Sequence, residues 1–162
     1  MNFPADLIPG DILLYDSGSL TDEGIKIAEG DDVAHVEIYA DKGQSYASRN
    51  GIGVSCYPFR PDSLKYVRRC KTTLNVETVD KWFLNGINGM AYGWGDILAS
   101  VEPDERGLAS TDLTKCQGVD CSHLASALLE VGQCAQFDDT FPKNKIRPRD
   151  FKLSLASVQV FP

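Results

Sequence analysis

The sequence predicts a single α+β domain that spans residues 1–162. Its length, with 43% hydrophobic and 24% charged residues, suits one domain with one hydrophobic core. Stretches with alternating apolar and polar residues, such as 33–40 and 157–161, predict β-strands. An apolar run with helical spacing follows Cys121 and predicts an amphipathic helix. Strands and helices are therefore both expected in one compact fold.

The remaining elements follow from the same patterns in chain order. Strands are predicted at 11–15, in a hairpin over 33–56, near 64–70 and within 153–161. Helices are predicted at 21–28, at 76–86 with Trp82 and Phe83 buried, and from Cys121 to Val131. The polar segment 100–117 is a long loop of the kind that often covers a functional site. Two prolines within 141–150 predict an irregular loop there.

Cys121 occupies the predicted start of a helix, which is a position that activates thiols. Asp120 is suited to cap that helix, and Gly132 is placed to end it. Backbone N–H groups at a helix N-terminus favour a thiolate over a thiol. We therefore predict that Cys121 is a nucleophile rather than a packed structural thiol.

A cysteine nucleophile needs a base, and the chain has two histidines, His35 and His123. His35 belongs to the predicted strand 33–40, where His35, Glu37 and Tyr39 share one face. His123 follows Cys121 by two residues on the same helix, so its side chain should point away from the sulfur. His35 is therefore the predicted general base, in a papain-like pairing of a helix cysteine with a strand histidine.

Four short motifs together resemble those of the NlpC-like cysteine peptidases. They are the strand motif Pro9–Tyr15, the histidine strand His35–Tyr39, the motif Tyr92-Gly93-Trp94-Gly95 and the helix start Asp120-Cys121-Ser122. The histidine strand precedes the cysteine helix here, as in the circularly permuted branch, which includes the lecithin-retinol acyltransferase group. The resemblance implies a papain-like (NlpC-type) fold in which an antiparallel sheet or small barrel packs against the cysteine helix. It covers about residues 9 to 150.

The third catalytic residue, which orients the histidine, is open between Tyr46 and Glu37, and a Cys–His dyad with only a weak orienting residue is a further alternative. A tight hairpin through Asp41–Gln44 would place Tyr46 and Ser48 on the side of the sheet that carries His35, and motif alignment favours Tyr46. Glu37 is favoured by chemistry because a carboxylate stabilises an imidazolium, although two residues along a strand is a long reach.

The resemblance also implies that the Tyr92 hydroxyl lies beside the nucleophile and helps to stabilise an oxyanion.

These residues predict a cysteine-dependent hydrolase of amide bonds that acts through an acyl-enzyme. The resemblance implies a peptide or acyl-amide substrate, with cell-wall (peptidoglycan) peptide as the expected one. One alternative is a thioester or lipid acyl hydrolase or acyltransferase, as in the permuted branch. Another is a non-catalytic binding or assembly domain that has kept the fold.

Composition excludes several other classes. A net charge of −7 and a pI near 4.7 argue against nucleic acid as a partner. No apolar stretch approaches the roughly 20 residues of a membrane helix, and the N-terminus does not resemble a signal peptide. We therefore expect a cytoplasmic monomer as synthesised, which would reach a cell wall only by phage lysis, in a virion or through a secretion apparatus.

The five cysteines show no spacing typical of a disulfide framework or a metal site. Cys116, Cys121 and His123 resemble part of a zinc site, but no fourth ligand follows at a recognisable spacing. We therefore expect reduced thiols, no bound metal and no cofactor.

Overall fold

A computed structural model describes residues 6–16, 32–93, 118–134, 146–154 and 157–161. Within these residues, six antiparallel strands form one sheet in the order β4-β3-β2-β1-β5-β6. They are β1 (Ile12–Tyr15), β2 (His35–Asp41), β3 (Gln44–Arg49), β4 (Gly53–Pro58), β5 (Leu64–Cys70) and β6 (Ser157–Phe161). The predicted α+β class is confirmed, and β2 lies near the middle of the sheet, between β1 and β3.

In the described ranges the α-helices are α1 (Val76–Trp82), α2 (Cys121–Val131) and α3 (Pro148–Leu153), and a π-helical turn, Phe83–Ile87, continues α1. Helix α2 packs on β2 and β3. Its Leu124 and Leu128 are fully buried against Val36 and Ile38 of β2. Burial of four such side chains stabilises the fold by several kcal/mol. The same packing fixes the start of α2 against the sheet.

A one-residue bulge decides which β3 side chains face which side of the sheet. Asp41 pairs with Gln44 across the turn, but Tyr39 pairs with Ser45, so Ala40 is an extra residue on β2. Without the bulge, Tyr39 would pair with Tyr46. Because side chains alternate along a strand, a shift of one residue reverses the face of every later residue of β3.

The segment 148–153 differs from the irregular loop predicted for 141–150. Pro148 is in the first turn of α3, and Asp150 accepts a hydrogen bond from the backbone N–H of Arg147 at 2.8 Å. Proline fits a first turn because its missing N–H would have no acceptor there. The prediction failed because it took Pro148 as a helix breaker.

Other predicted elements lie outside the described residues: the helix at 21–28, the loop at 100–117 and the first part of the 141–150 loop. The predicted burial of Phe83 is confirmed, whereas Trp82 is half-buried. In the described part of the chain, no helix has the length and apolar character to cross a bilayer.

Candidate active site

Cys121 is the first residue of α2, as predicted. Asp120 has an extended backbone (φ −77°, ψ 173°), and its Oδ1 accepts a hydrogen bond from the His123 backbone N–H at 2.8 Å. This is the geometry of an N-cap. Cys121 therefore lies in the first turn of α2, where the N–H groups have no acceptor within the helix. The residue is buried, at 6% relative exposure.

The chain just before Cys121 is held against two other segments. Ser48 on β3 donates a hydrogen bond to the Val119 carbonyl, and Val119 forms a parallel bridge with Tyr92. Gly93 and Gly118 bring the two backbones close together, since a Cβ on Gly118 would lie 2.9 Å from the Cα of Gly93. Side chains at these glycines would push the segments apart. The contacts thus fix where α2 begins.

His35 is the first residue of β2, and its ring reaches Cys121 and Glu37. Its Nε2 lies 3.0 Å from Oε1 of Glu37. The Cys121 thiol lies close enough to the imidazole for its charge and hydrogen bonding to raise the pKa of His35. Because Nε2 contacts Glu37, Nδ1 is the nitrogen left for the sulfur. The imidazole thus links the cysteine to the carboxylate.

The surroundings of His35 favour its charged form. Burial lowers the pKa of His35, but the charge and hydrogen bonding of Cys121 and Glu37 outweigh this effect and raise the pKa to about 9. The imidazole is therefore an imidazolium at neutral pH. This protonation state suits a cysteine and histidine that form an ion pair.

Glu37 is fully buried and accepts hydrogen bonds from four side chains. Besides His35, these are Ser45, Arg49 through Nε at 2.9 Å, and Arg60 at 3.0 Å. Burial raises the pKa of Glu37, but the hydrogen bonds from His35, Arg49 and Ser45 hold it well below its usual range. A carboxylate thus faces the far nitrogen of His35. Although Glu37 is two residues from His35 along β2, its side chain is long enough to contact the imidazole.

Tyr46, the other predicted orienting residue, lies on the opposite face of the sheet. Its ring packs 4.9 Å from that of Phe83, and its hydroxyl donates a hydrogen bond to Asp80. Burial and this bond raise the pKa of Tyr46 above its ordinary value. The sequence-based placement of Tyr46 and Ser48 beside His35 is therefore wrong, because the Ala40 bulge shifts the register of β3.

The structure thus brings together Cys121, His35 and Glu37, and it places the backbone of Tyr92 beside Val119. Sequence reasoning missed Ser45, Arg49 and Arg60 around Glu37. Ser45 and Arg49 could have been found from strand alternation once the bulge was known. Arg60 follows β4 in a connecting segment, where no pattern indicated a contact with Glu37.

A metal site is not formed by the described residues, which contain no group of three or more His, Cys, Asp or Glu side chains suited to hold an ion. Of the residues that resembled part of a zinc site, Cys116 lies outside the described part of the chain.

Comparisons with known proteins give information on the fold alone. No protein-family model and no curated protein matches the chain. A solved structure, described as the metalloprotein yiiX of Escherichia coli O157:H7 (DUF1105), aligns with a TM-score of 0.51 and 16% identity. The alignment covers 95% of this chain and 98% of that one. The chain therefore shares its α+β architecture with a protein of nearly the same extent.

Proposed function

We propose that this protein is a cysteine-dependent amide hydrolase with a circularly permuted, papain-like (NlpC-type) arrangement. The observation that carries the proposal is the His35 imidazole, whose Nε2 lies 3.0 Å from the Glu37 carboxylate and whose pKa is raised by the neighbouring Cys121 thiol. A nucleophile, a base and a group that orients the base are the parts that acyl transfer requires.

In the proposed reaction, the Cys121 thiolate attacks the carbonyl carbon of a scissile amide. The protonated His35 then gives its proton to the leaving amine as the carbon–nitrogen bond breaks, which leaves an acyl-thioester on Cys121. A water molecule then gives a proton to His35 and attacks the thioester, and cleavage of the carbon–sulfur bond releases a carboxylic acid and regenerates the Cys121 thiolate beside the protonated His35.

Three further groups have roles in this reaction. Glu37 orients the imidazole and stabilises its charged form, since its oxygen is in hydrogen-bond contact with Nε2. The Cys121 backbone N–H, in the first turn of α2, stabilises the oxyanion, and we assign the Tyr92 hydroxyl to the same task. The resemblance in sequence motifs points to cell-wall peptides as the amide substrates.

The first test measures the rate at which iodoacetamide alkylates Cys121 between pH 5 and pH 9, followed by peptide mass spectrometry. Rapid labelling at pH 6 that is slowed at least tenfold in His35→Ala is expected, because an ordinary thiol has a pKa near 8.5 and is almost unreactive there. Cys56 is the internal reference, since burial and the nearby Asp80 raise the pKa of its thiol.

The other outcomes of this test discriminate between the alternatives. Slow labelling of Cys121 that does not depend on His35 would exclude an activated pair and leave a binding or assembly domain. Fast, His35-dependent labelling followed by turnover of acyl esters but not of wall peptides would replace the amide substrate with a lipid or thioester.

A further inference from the structure

Three cationic side chains surround one carboxylate beside the candidate nucleophile. His35, Arg49 and Arg60 all contact Glu37. Even when Cys121 is a thiolate, the three cations outnumber the two anions, Glu37 and Cys121, so the site keeps an excess of positive charge. The carboxylate of Asp16, the residue after the end of β1, forms an ion pair with Lys65. This excess contrasts with the net charge of −7 of the whole chain.

The two arginines differ in how far their hydrogen bonds are used. Arg49 donates to both oxygens of Glu37 and to the Pro58 carbonyl, lies over the Tyr57 ring, and has a side chain only 14% exposed. Three of the five N–H donors of its guanidinium are therefore used within the protein, two of them on Glu37.

Arg60, in contrast, makes fewer hydrogen bonds than Arg49. Within the described part of the chain, its guanidinium makes one hydrogen bond, from a terminal nitrogen to Glu37, and its Nε is buried without a partner. Its side chain is 36% exposed, and the guanidinium lies 4.9 Å from the centre of the Tyr15 ring, which holds it in place. A carboxylate can accept two parallel hydrogen bonds from such a group.

We propose that Arg60 is a specificity-determining residue that binds a carboxylate group of the substrate beside the scissile bond. The Glu37 oxygen that accepts from Arg60 also contacts His35, so the guanidinium lies within two hydrogen bonds of the imidazole. The substrates are therefore acyl compounds or peptides that carry a free carboxylate near the bond to be cleaved. This inference rests on the proposed function of Cys121 and His35.

The proposal can be tested without knowledge of the substrate by comparing two alkylating reagents of similar size. Iodoacetate carries a carboxylate and iodoacetamide does not. The rate of each at Cys121, divided by its rate with free glutathione, gives a charge preference that is independent of intrinsic reactivity. Site-resolved mass spectrometry measures it in wild type and in variants, with Cys121→Ser as the blank.

The wild type should prefer iodoacetate, and Arg60→Gln should reduce this preference by about threefold to tenfold, the effect of one unit charge within about 10 Å. Arg60→Lys should retain part of the preference. Lys42→Gln is the matched control, because Lys42 follows the last residue of β2, about 20 Å along the strand from His35. Arg60→Met, which keeps the apolar stem over Tyr15, is a second neutral variant in case Arg60→Gln unfolds.

An unchanged preference in Arg60→Gln or Arg60→Met would overturn the carboxylate subsite, as would an equal loss in Lys42→Gln. The ratio is defined for a slow thiol as well as for a fast one. Failure of the proposed function, which is slow iodoacetamide labelling without dependence on His35, is therefore a separate result.

Discussion

Ser45 on β3 donates a hydrogen bond to the buried carboxylate of Glu37 on β2. The contact exists because Ser45, rather than Tyr46, faces the side of the sheet that carries His35. Ala40 is the extra residue that sets this register. The bulge thus decides which side chains surround the candidate catalytic histidine.

The first prediction concerns the identity of the orienting residue. Glu37→Gln should lower the His35-dependent reactivity of Cys121, and any amidase activity, by between about 10-fold and 10⁴-fold, because a neutral amide does not stabilise the imidazolium. Tyr46→Phe removes only the hydroxyl bonded to Asp80 and should leave both quantities within about threefold. A large loss in Tyr46→Phe with little in Glu37→Gln would reverse the assignment.

Glu37→Gln should also destabilise the fold, since Arg49 and Arg60 would lose a buried counter-ion. Removal of one partner of a buried ion pair costs about 3–5 kcal/mol in the free energy of unfolding. Urea denaturation measures this cost. Circular dichroism of the folded variant separates a loss of reactivity from a loss of structure.

Much of this site could be predicted from the sequence because it depends on local patterns. Asp120 before Cys121 predicted the helix start, and strand alternation predicted that His35 and Glu37 share a face. The side on which Tyr46 lies could not be predicted, since nothing in the residues 39–46 distinguishes a regular hairpin from one with a bulge. Arg60 reaches Glu37 across the fold, and no local pattern encodes such a contact.

The second prediction concerns alkaline pH. The pKa of His35 is raised to about 9 in the folded protein, above the value of about 6.5 expected when it is unfolded. The folded state therefore binds this proton more tightly, and the resulting stability is complete below about pH 6.5 and is lost as the pH rises through 9. Wild type should lose more unfolding free energy between pH 6.5 and pH 9.5 than His35→Gln. Equal losses, measured by urea denaturation, would contradict the raised pKa.

The third prediction concerns the close approach of Gly118 to Gly93. In Gly118→Ala the new methyl group would lie 2.9 Å from the Tyr92 carbonyl oxygen and from the Cα of Gly93, so one backbone must move. We expect a loss of about 1–3 kcal/mol in stability, as for other overpacked sites, together with slower labelling of Cys121.

Gly51→Ala is the control for this experiment. Gly51 has a positive φ of 76° but no atom within 4 Å of its Cβ position. Its substitution should cost about 1 kcal/mol through backbone strain and leave labelling of Cys121 unchanged. Equal labelling rates in both variants would show that the contact between residues 93 and 118 does not position the nucleophile.

The last prediction separates the two effects of Asp120 on Cys121. The Asp120 side chain caps α2. Its negative charge also opposes a thiolate on Cys121, which is the next residue in the sequence. Asp120→Asn keeps a capping oxygen and removes the charge, so stability should be nearly unchanged while alkylation of Cys121 at pH 6 rises by a few-fold. Asp120→Ala removes the cap as well and should cost about 1 kcal/mol in unfolding free energy. If Asp120→Asn instead slows alkylation while its stability is preserved, the carboxylate itself supports the reactivity of the thiol, and the N-terminal field of α2 is not what activates Cys121.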